Sequence, residues 1–272
     1  MPAINPARLK IQATQIVEKF EYPVEFVTEL HDLLDFYADR TRKPGRGGPH
    51  LAKIRAYNVP TQVMRQLESL LTPRVTADED GALALADSLW AEPWLECRLL
   101  GLHILGQISL NPPDRIINRI KIWGDECGVD RQLDSFLATG LVQLRKGDSA
   151  QFYRLLESWI QSSKLASRRL VLRMIPSLVS ESDFENLPVI FKLLSPFMQK
   201  EDLITDADLV EAISALAERN PKETAYFLKQ SISLSNQLGV AVLIRQILDS
   251  FPTQDQAELR AYLRQRADDL RE

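Results

Sequence analysis

Two carboxylates, Asp130 and Asp134, lie one helical turn apart within GVDRQLDSFLATGLVQLRK, residues 128–146. Apolar residues recur at helical spacing through this stretch, which is typical of an amphipathic helix. Asp130 follows Gly128 and can serve as the N-cap of that helix. Asp134 lies too far inside the helix to cap it and borders the apolar stripe. It is therefore either a surface group paired with Arg131 or a carboxylate that faces a groove and acts on a ligand there.

Positive charge is the second feature with chemical potential. The formal net charge is −4, yet the stretch from Arg40 to Val75 has eight Lys or Arg residues and one Glu. A Gly/Pro-rich segment, residues 40–60, lies within it, and glycine lets a backbone approach a ligand closely. Its cations either contact phosphate groups or form a solvated basic loop. They include Lys43, Arg46, Lys53 and Arg55.

A further pair of cations follows in SSKLASRRLVLR, residues 162–173. Arg169 and Arg173 are four residues apart, so they share one face of a helix. Such a stripe either lines a groove and binds phosphates, or is the solvent-facing side of the helix. The charge pattern alone leaves both readings open.

Several other function classes find little support. His31, His50 and His103 are scattered, and no acidic or histidine cluster has metal-ligand spacing, so we expect no metal and no other cofactor. The two cysteines, Cys97 and Cys127, have no CxxC or disulfide spacing, which favours a reducing compartment. The first residues lack a signal-peptide core, and no apolar run could span a membrane. We therefore expect a cytoplasmic protein without membrane contact.

Helical periodicity runs almost from one end of the sequence to the other, and strand alternation is absent. We predict fourteen helices of similar length whose pairs recur about every 35–40 residues, as in HEAT-like repeats. Because one helix pair cannot bury its apolar side alone, successive pairs stack into a curved solenoid. The predicted fold is an all-α superhelix of about six to seven antiparallel helix pairs, forming one domain over residues 1–272.

Two helix starts can be assigned more closely. The TADED stretch places Thr76 or Asp78 as the N-cap of a helix over residues 78–91. The NPPD stretch places Asn111 before two prolines in the first turn of a helix over 112–126. We also predict a helix over residues 60–72, before the one at 78–91, and expect it to end before Pro73.

Four of these stretches, taken in order, resemble the DNA alkylation repair family of helical-repeat alkylpurine DNA glycosylases of the AlkD type. The resemblance covers roughly residues 10–235, and it is the ordered set, more than any one stretch, that carries it. The stretches are HLAKIRAYNVPTQVMRQLESL (50–70), LADSLWAEPWLECRLLGLHIL (85–105), VDRQLDSFLATGL (129–141) and WIQSSKLASRRLVLRMI (159–175).

The resemblance implies a curved solenoid that grips the DNA backbone with a cationic concave face. It also implies hydrolysis of the N-glycosidic bond of N3- or N7-alkylated purines. Asp134 matches the position of the family's key aspartate, and Arg169 matches its phosphate-contacting arginine. By this reading Asp134 is catalytic, and six cations bind a monomer to double-stranded DNA. They are Lys43, Arg46, Lys53, Arg55, Arg169 and Arg173.

Two positions depart from the family pattern. Asp130 stands where the family has an aromatic residue before the aspartate, and the second site tryptophan falls near Ala215. The family uses these rings to pack against the deoxyribose of the lesion. Their replacement, together with the acidic ends of the chain, supports an alternative. In that alternative the protein is a non-catalytic HEAT-like scaffold that binds a protein or peptide partner.

Overall fold

A computed structural model describes residues 4–40, 54–109, 111–127, 140–180, 186–199, 206–234 and 237–269. These residues form helices, with one isolated backbone bridge between Arg55 and Trp94. The all-α helical-repeat prediction is therefore confirmed. No helix in these ranges combines the length and apolar character needed to cross a lipid bilayer.

The helices of the described ranges are numbered here in chain order. They are α1 (Pro6–Glu18), α2 (Pro23–Tyr37), α3 (Thr61–Ala77), α4 (Glu79–Ala91), α5 (Leu95–Leu105), α6 (Asp114–Glu126), α7 (Val142–Gly147), α8 (Ser149–Ile160), α9 (Leu165–Ser180), α10 (Leu187–Met198), α11 (Ala207–Arg219), α12 (Pro221–Leu234), α13 (Gln237–Ile247) and α14 (Thr253–Asp269), with a 3₁₀ turn at Leu248–Ser250 between the last two.

The chain divides into two compact units, Met1–Tyr153 and Arg154–Glu272. In the first unit α1 packs on α3 and α3 on α5, while α2 packs on α4. Trp90 of α4 stacks on Trp123 of α6 with ring centroids 4.5 Å apart and an angle of 4° between the ring planes. The indole N–H of Trp90 also donates to Glu126 at 2.7 Å. Odd- and even-numbered helices thus form two layers.

The second unit repeats this arrangement. α9 packs on α11 and α11 on α13, while α10 packs on α12 and α12 on α14. α12 also contacts α11 and α13, so the two layers are joined. The contact between every second helix is what a helical-repeat protein needs, because each pair buries its apolar side against the next.

Long-range hydrogen bonds fit the predicted repeat interval of about 35–40 residues. The sequence separation of a bond that joins one repeat to the next reports the repeat length. Examples are Tyr57 to Glu96 (39 residues), Trp90 to Glu126 (36), Lys192 to Glu157 (35) and Arg169 to Asp208 (39).

Helix α3 continues past Pro73 to Ala77, so the predicted end at residue 72 is wrong. Proline removes one backbone N–H from the helix, but Leu71 and Val75 on either side are fully buried. Burial of this apolar face outweighs the lost hydrogen bond. Asp78 then ends α3 and caps α4, accepting from the Gly81 N–H at 3.0 Å, which confirms it as the N-cap.

Helix α6 begins at Asp114 with Pro113 as its N-cap, so Asn111 is not the capping residue. A residue that precedes proline is disfavoured in the helical region, and this restriction applies to both Asn111 and Pro112. The helix can therefore start no earlier than the second proline, and it starts one residue after it. The predicted start at residue 112 is corrected by two positions.

Candidate nucleic-acid interface

Two arginines of α9 converge on one acidic side chain of α11. The Arg169 Nε donates to Asp208 Oδ2 at 2.7 Å, and the Arg173 Nε lies 4.0 Å from Asp208 Oδ1. The side chains of the three residues are 23%, 18% and 11% exposed in the order Arg169, Arg173, Asp208. We call these three residues the arginine cluster. It carries two positive charges and one negative charge.

Local sequence explains why the arginine cluster forms. α9 buries Leu170, Met174 and Leu178 on one side, and the four-residue spacing of the arginines places both on a neighbouring strip. At the start of α11, the side chain of the N-cap Asp206 accepts from the Asp208 N–H at 2.8 Å. This bond fixes the first turn of α11, and Asp208 then faces α9.

Arginine is a residue type suited to binding a phosphate. A guanidinium has five N–H donors in a planar fork that matches phosphate and carboxylate groups. An ion pair with a buried carboxylate restrains a long side chain before any ligand arrives, which lowers the entropic cost of binding. The arginine cluster is therefore a restrained cationic site on the α9–α11 layer.

The first unit holds a second group of interest, which we call the aromatic cluster: His31, Tyr57, Glu92 and Trp94. Tyr57 stacks on Trp94 with ring centroids 3.9 Å apart and 15° between their planes. The Nε2 of His31 lies 3.1 Å from Glu92 Oε2, and its Nδ1 lies 2.9 Å from the Tyr57 hydroxyl. A carboxylate only accepts, so Nε2 donates to Glu92.

Burial, with the nearby acidic groups adding to it, raises the pKa of Tyr57 to about 12. Its hydroxyl therefore keeps its proton at neutral pH. The chain from Glu92 through His31 to Tyr57 ties α2, residues 54–60 and the α4–α5 turn together.

Arg55 is held beside the aromatic cluster by its backbone. Its N–H donates to Pro93 O at 3.1 Å, and its carbonyl accepts from the Leu95 N–H at 2.8 Å. The exposed guanidinium lies 5.9 Å from the centre of the Trp94 ring. This distance is within cation–π range. Arg55 is therefore restrained at its backbone by two hydrogen bonds and at its guanidinium by the Trp94 ring.

Glu96 binds the backbone of the segment 54–60 through its carboxylate. Its side chain is buried, with 1% of the residue exposed. Its two carboxylate oxygens accept from the backbone N–H groups of Tyr57, at 3.0 Å, and Asn58, at 2.8 Å. Asn58 has a positive φ of 55°, a conformation that asparagine tolerates better than most residues. Glu96 therefore fixes the turn that presents Arg55 and Tyr57.

A match to a known protein family shows which family this chain belongs to. The model of the family described as DNA alkylation repair enzyme matches residues 33–240, about three quarters of the sequence. The chain belongs to the DNA alkylation repair enzyme family. No curated protein and no solved structure matches it significantly. The matched region contains the arginine cluster and, except for His31, the aromatic cluster, and membership supports a role in DNA repair.

The predicted site residues of this DNA alkylation repair family member are placed as follows. Arg169 and Arg173 are brought together in the arginine cluster, and Arg55 belongs to the first unit. The proposed catalytic Asp134 and its neighbour Asp130 lie outside the described residues, as do three predicted phosphate contacts. Those three are Lys43, Arg46 and Lys53.

Sequence reasoning missed the residues that restrain these cations. Asp208, Tyr57, Trp94 and Glu96 are not among the predicted site residues. One signal could have found two of the contacts. Arg169 and Asp208, like Tyr57 and Glu96, are 39 residues apart, which is one predicted repeat interval.

Metal and thiol chemistry find no site in the part of the chain that the structure describes. No group of three or more His, Cys, Asp or Glu residues there could hold a metal ion. Cys97 and Cys127 are buried, at 0% and 2% exposure. Burial and neighbouring glutamates raise the pKa of Cys97 to about 12, and burial also raises the pKa of Cys127.

We therefore expect neither cysteine to react with a thiol reagent in the native protein, because only the thiolate attacks and both sulfurs are shielded. Titration with Ellman's reagent should release no colour from the native chain within minutes. Both of its two cysteines should react in guanidinium chloride. Rapid native reaction of either thiol would contradict the buried placement.

Proposed function

We propose that this protein binds double-stranded DNA and removes N3- or N7-alkylated purines by hydrolysis of the N-glycosidic bond. The observation that carries the proposal is the family match over residues 33–240, which includes the helix where Arg169 and Arg173 converge. The two arginines, with Arg55 and the basic segment 40–60, supply contacts to the DNA backbone. Such contacts position the protein without reading the sequence.

The proposed chemistry needs little from the protein. Alkylation at N3 or N7 makes the purine cationic, so the C1′–N bond breaks readily and its electron pair neutralises the departing base. Water supplies the new C1′–O bond and loses a proton. A carboxylate near the deoxyribose stabilises the positive charge that develops on the sugar and orients or deprotonates the water. We assign this role to Asp134.

Release of 7-methylguanine from a methylated duplex tests the enzymatic claim. We expect the wild-type chain to release the base above the spontaneous rate. Asp134→Asn should lower the rate constant by at least about tenfold, because removal of one charge-stabilising group typically costs that much or more. Release by Asp134→Asn at the wild-type rate would remove Asp134 from the mechanism. No release by either protein would remove the glycosylase activity.

DNA binding is tested separately through its salt dependence. We expect Arg55→Gln to weaken duplex binding about three- to tenfold and to reduce the slope of log K against log salt by roughly 0.9, the value for one phosphate contact. Arg264→Gln makes the same charge change on exposed α14, outside the family match, and is the matched control. Equal salt slopes for wild type and Arg55→Gln would exclude Arg55 as a phosphate contact.

The alternative remains a non-catalytic scaffold for a protein or peptide. Asp130 and Ala215 favour it, since each replaces an aromatic residue of the family pattern, and Ala215 lies half-buried on α11. Retention of a protein partner by the wild-type chain, with no duplex binding even at low salt, would select this alternative.

A further inference from the structure

The outer face of α12 carries two neighbouring cavities in the second unit. Residues Lys222, Tyr226, Gln230 and Ser233 follow one another at helical spacing and point away from the buried side of the helix. The opposite side of α12 packs on α11 and α13. This surface therefore belongs to the α10–α12–α14 layer, whereas the arginine cluster belongs to the other layer.

The first cavity is apolar. It has a volume of about 430 Å³ and is lined by the rings of Phe191, Tyr226 and Phe227 together with Lys222, Glu223 and Gln230. Phe191 and Phe227 are stacked with centroids 4.8 Å apart. Tyr226 is 63% exposed, and its hydroxyl accepts from the Gln230 amide at 2.7 Å. The cavity has the size and lining to take one aliphatic or aromatic side chain.

The second cavity is polar and cationic. It has a volume of about 310 Å³ and is lined by Lys229, Gln230, Ser233 and Tyr262. Arg266 donates to the Ser233 hydroxyl at 3.1 Å, and the Arg266 guanidinium lies 5.8 Å from the centre of the Tyr262 ring. The Ser233 and Tyr262 hydroxyls both donate to the backbone carbonyl of Lys229 at 3.2 Å, so the cations Lys229 and Arg266 are the groups that attract an anion to this volume. This is the arrangement that proteins use for carboxylate and phosphate groups.

The titration of Tyr262 reports the electrostatic potential in this cavity. Burial raises the pKa of Tyr262, but hydrogen bonds with Ser233 and Arg266 and the charges of Arg266 and Lys229 outweigh it and lower the pKa overall. Groups that favour a phenolate also favour a bound anion at the same place. Glu258, 3.6 Å from Lys229, is the acidic group facing this cluster from α14, and a ligand carboxylate would take its place at the ammonium.

We propose that the outer face of α12 is a docking site for an acidic peptide segment of a partner protein. An apolar side chain fills the cavity beside Phe191 and Tyr226, and an Asp, Glu or phosphorylated side chain binds among Lys229, Ser233 and Arg266. Tyr226 and Ser233 lie about 10 Å apart along the helix axis, at roughly 1.5 Å per residue. An extended peptide spans this distance in about three residues.

A peptide is favoured over nucleic acid for two reasons. The cationic pocket is small and borders an apolar cavity, whereas a duplex backbone needs a line of cations. Tyr262 and Arg266 also lie on α14, beyond residue 240, so the cationic cavity is completed by residues outside the family-matched region. The inference does not depend on glycosylase activity or on DNA binding by the other layer.

Fluorescence anisotropy with defined peptides tests the site. The probe is a fluorescein-labelled Gly/Ser peptide with one Phe and one Asp about three residues apart, and the comparison peptides lack the Phe or the Asp. We expect the complete peptide to bind the wild-type chain, and the Lys229→Gln/Arg266→Gln variant to bind at least about tenfold more weakly, since two charge-assisted contacts are lost. Tyr226→Ser should weaken binding through loss of the apolar contact.

The matched control is Arg260→Gln/Arg264→Gln, which makes the same charge change on exposed positions of α14. Its affinity should stay within about twofold of wild type, because exposed charges contribute little. Equal weakening by both double variants, or binding independent of the Phe and the Asp, would overturn the proposal. Stoichiometric displacement of the peptide by an unmodified DNA duplex would show a nucleic-acid site instead and would also overturn it.

Inorganic phosphate gives a second readout that needs no peptide. The titration of Tyr262 is the absorbance difference between wild type and Tyr262→Phe near 295 nm. Phosphate bound in the cavity should raise the pKa of Tyr262, since a nearby anion disfavours the phenolate. The shift should disappear in Lys229→Gln/Arg266→Gln, and no shift in the wild-type chain would count against the anion pocket.

Discussion

Glu96→Ala should lower the free energy of unfolding by about 4 kcal/mol, because two part-buried backbone N–H groups lose a charged acceptor together. Both oxygens of Glu96 are engaged, one with Tyr57 and one with Asn58, and the residue is 1% exposed. Water cannot replace the carboxylate without opening the turn. Urea unfolding followed by circular dichroism at 222 nm measures the loss.

Two further variants sharpen this result. Glu96→Gln keeps one carbonyl acceptor but points an amide donor at the other N–H, so we expect an intermediate loss of about 2 kcal/mol. Glu211→Ala removes an exposed glutamate from the interior of α11 and should change stability by less than about 0.5 kcal/mol. A loss for Glu96→Ala no larger than that of Glu211→Ala would contradict the anchoring role.

Asp208→Ala is the second large effect, with an expected loss of about 3 kcal/mol in unfolding free energy. The substitution removes a charge partner from the half-buried guanidinium groups of Arg169 and Arg173, and breaking such an ion pair is strongly destabilising. Thermal and urea unfolding measure it. Asp206→Ala serves as a comparison, because it removes only the N-cap of α11 and should cost about 1 kcal/mol.

A triple variant separates the structural role of the arginine cluster from its proposed role in DNA binding. Replacing buried charges with apolar residues of similar size is often neutral or stabilising. Arg169→Met/Arg173→Met/Asp208→Leu should therefore be within about 1 kcal/mol of wild type in stability while binding duplex DNA at least about tenfold more weakly. Wild-type DNA affinity in this folded variant would exclude the arginine cluster from the interface.

Periodicity sufficed to predict the helices and the repeat interval, because an amphipathic helix must show its buried face at helical spacing. Boundaries at proline were less predictable. Pro73 suggested an end that the burial of Val75 overrides, and the pair Pro112–Pro113 delays a start that Asn111 seemed to mark. In both cases a rule for one residue, proline as a helix breaker or asparagine as a cap, was overridden by a neighbouring residue that the hydrophobic pattern does not reveal.

The contacts around the candidate site were harder to predict, since they join residues far apart in sequence. His31 contacts Tyr57 across 26 residues and Glu92 across 61. Such residues come together only when whole repeats stack, and the type of a single residue does not predict the contact. The repeat interval is the part of this information that the sequence does contain, and it relates Arg169 to Asp208.

The stack of Trp90 on Trp123 gives the protein a built-in optical signal. Two indoles lying face to face at 4.5 Å couple their excited states, so the pair should produce a strong near-ultraviolet circular dichroism band that a single indole lacks. Each ring belongs to a different helix of one layer, and separation of α4 from α6 would abolish the band. Ligands that loosen this layer can thus be followed without any label.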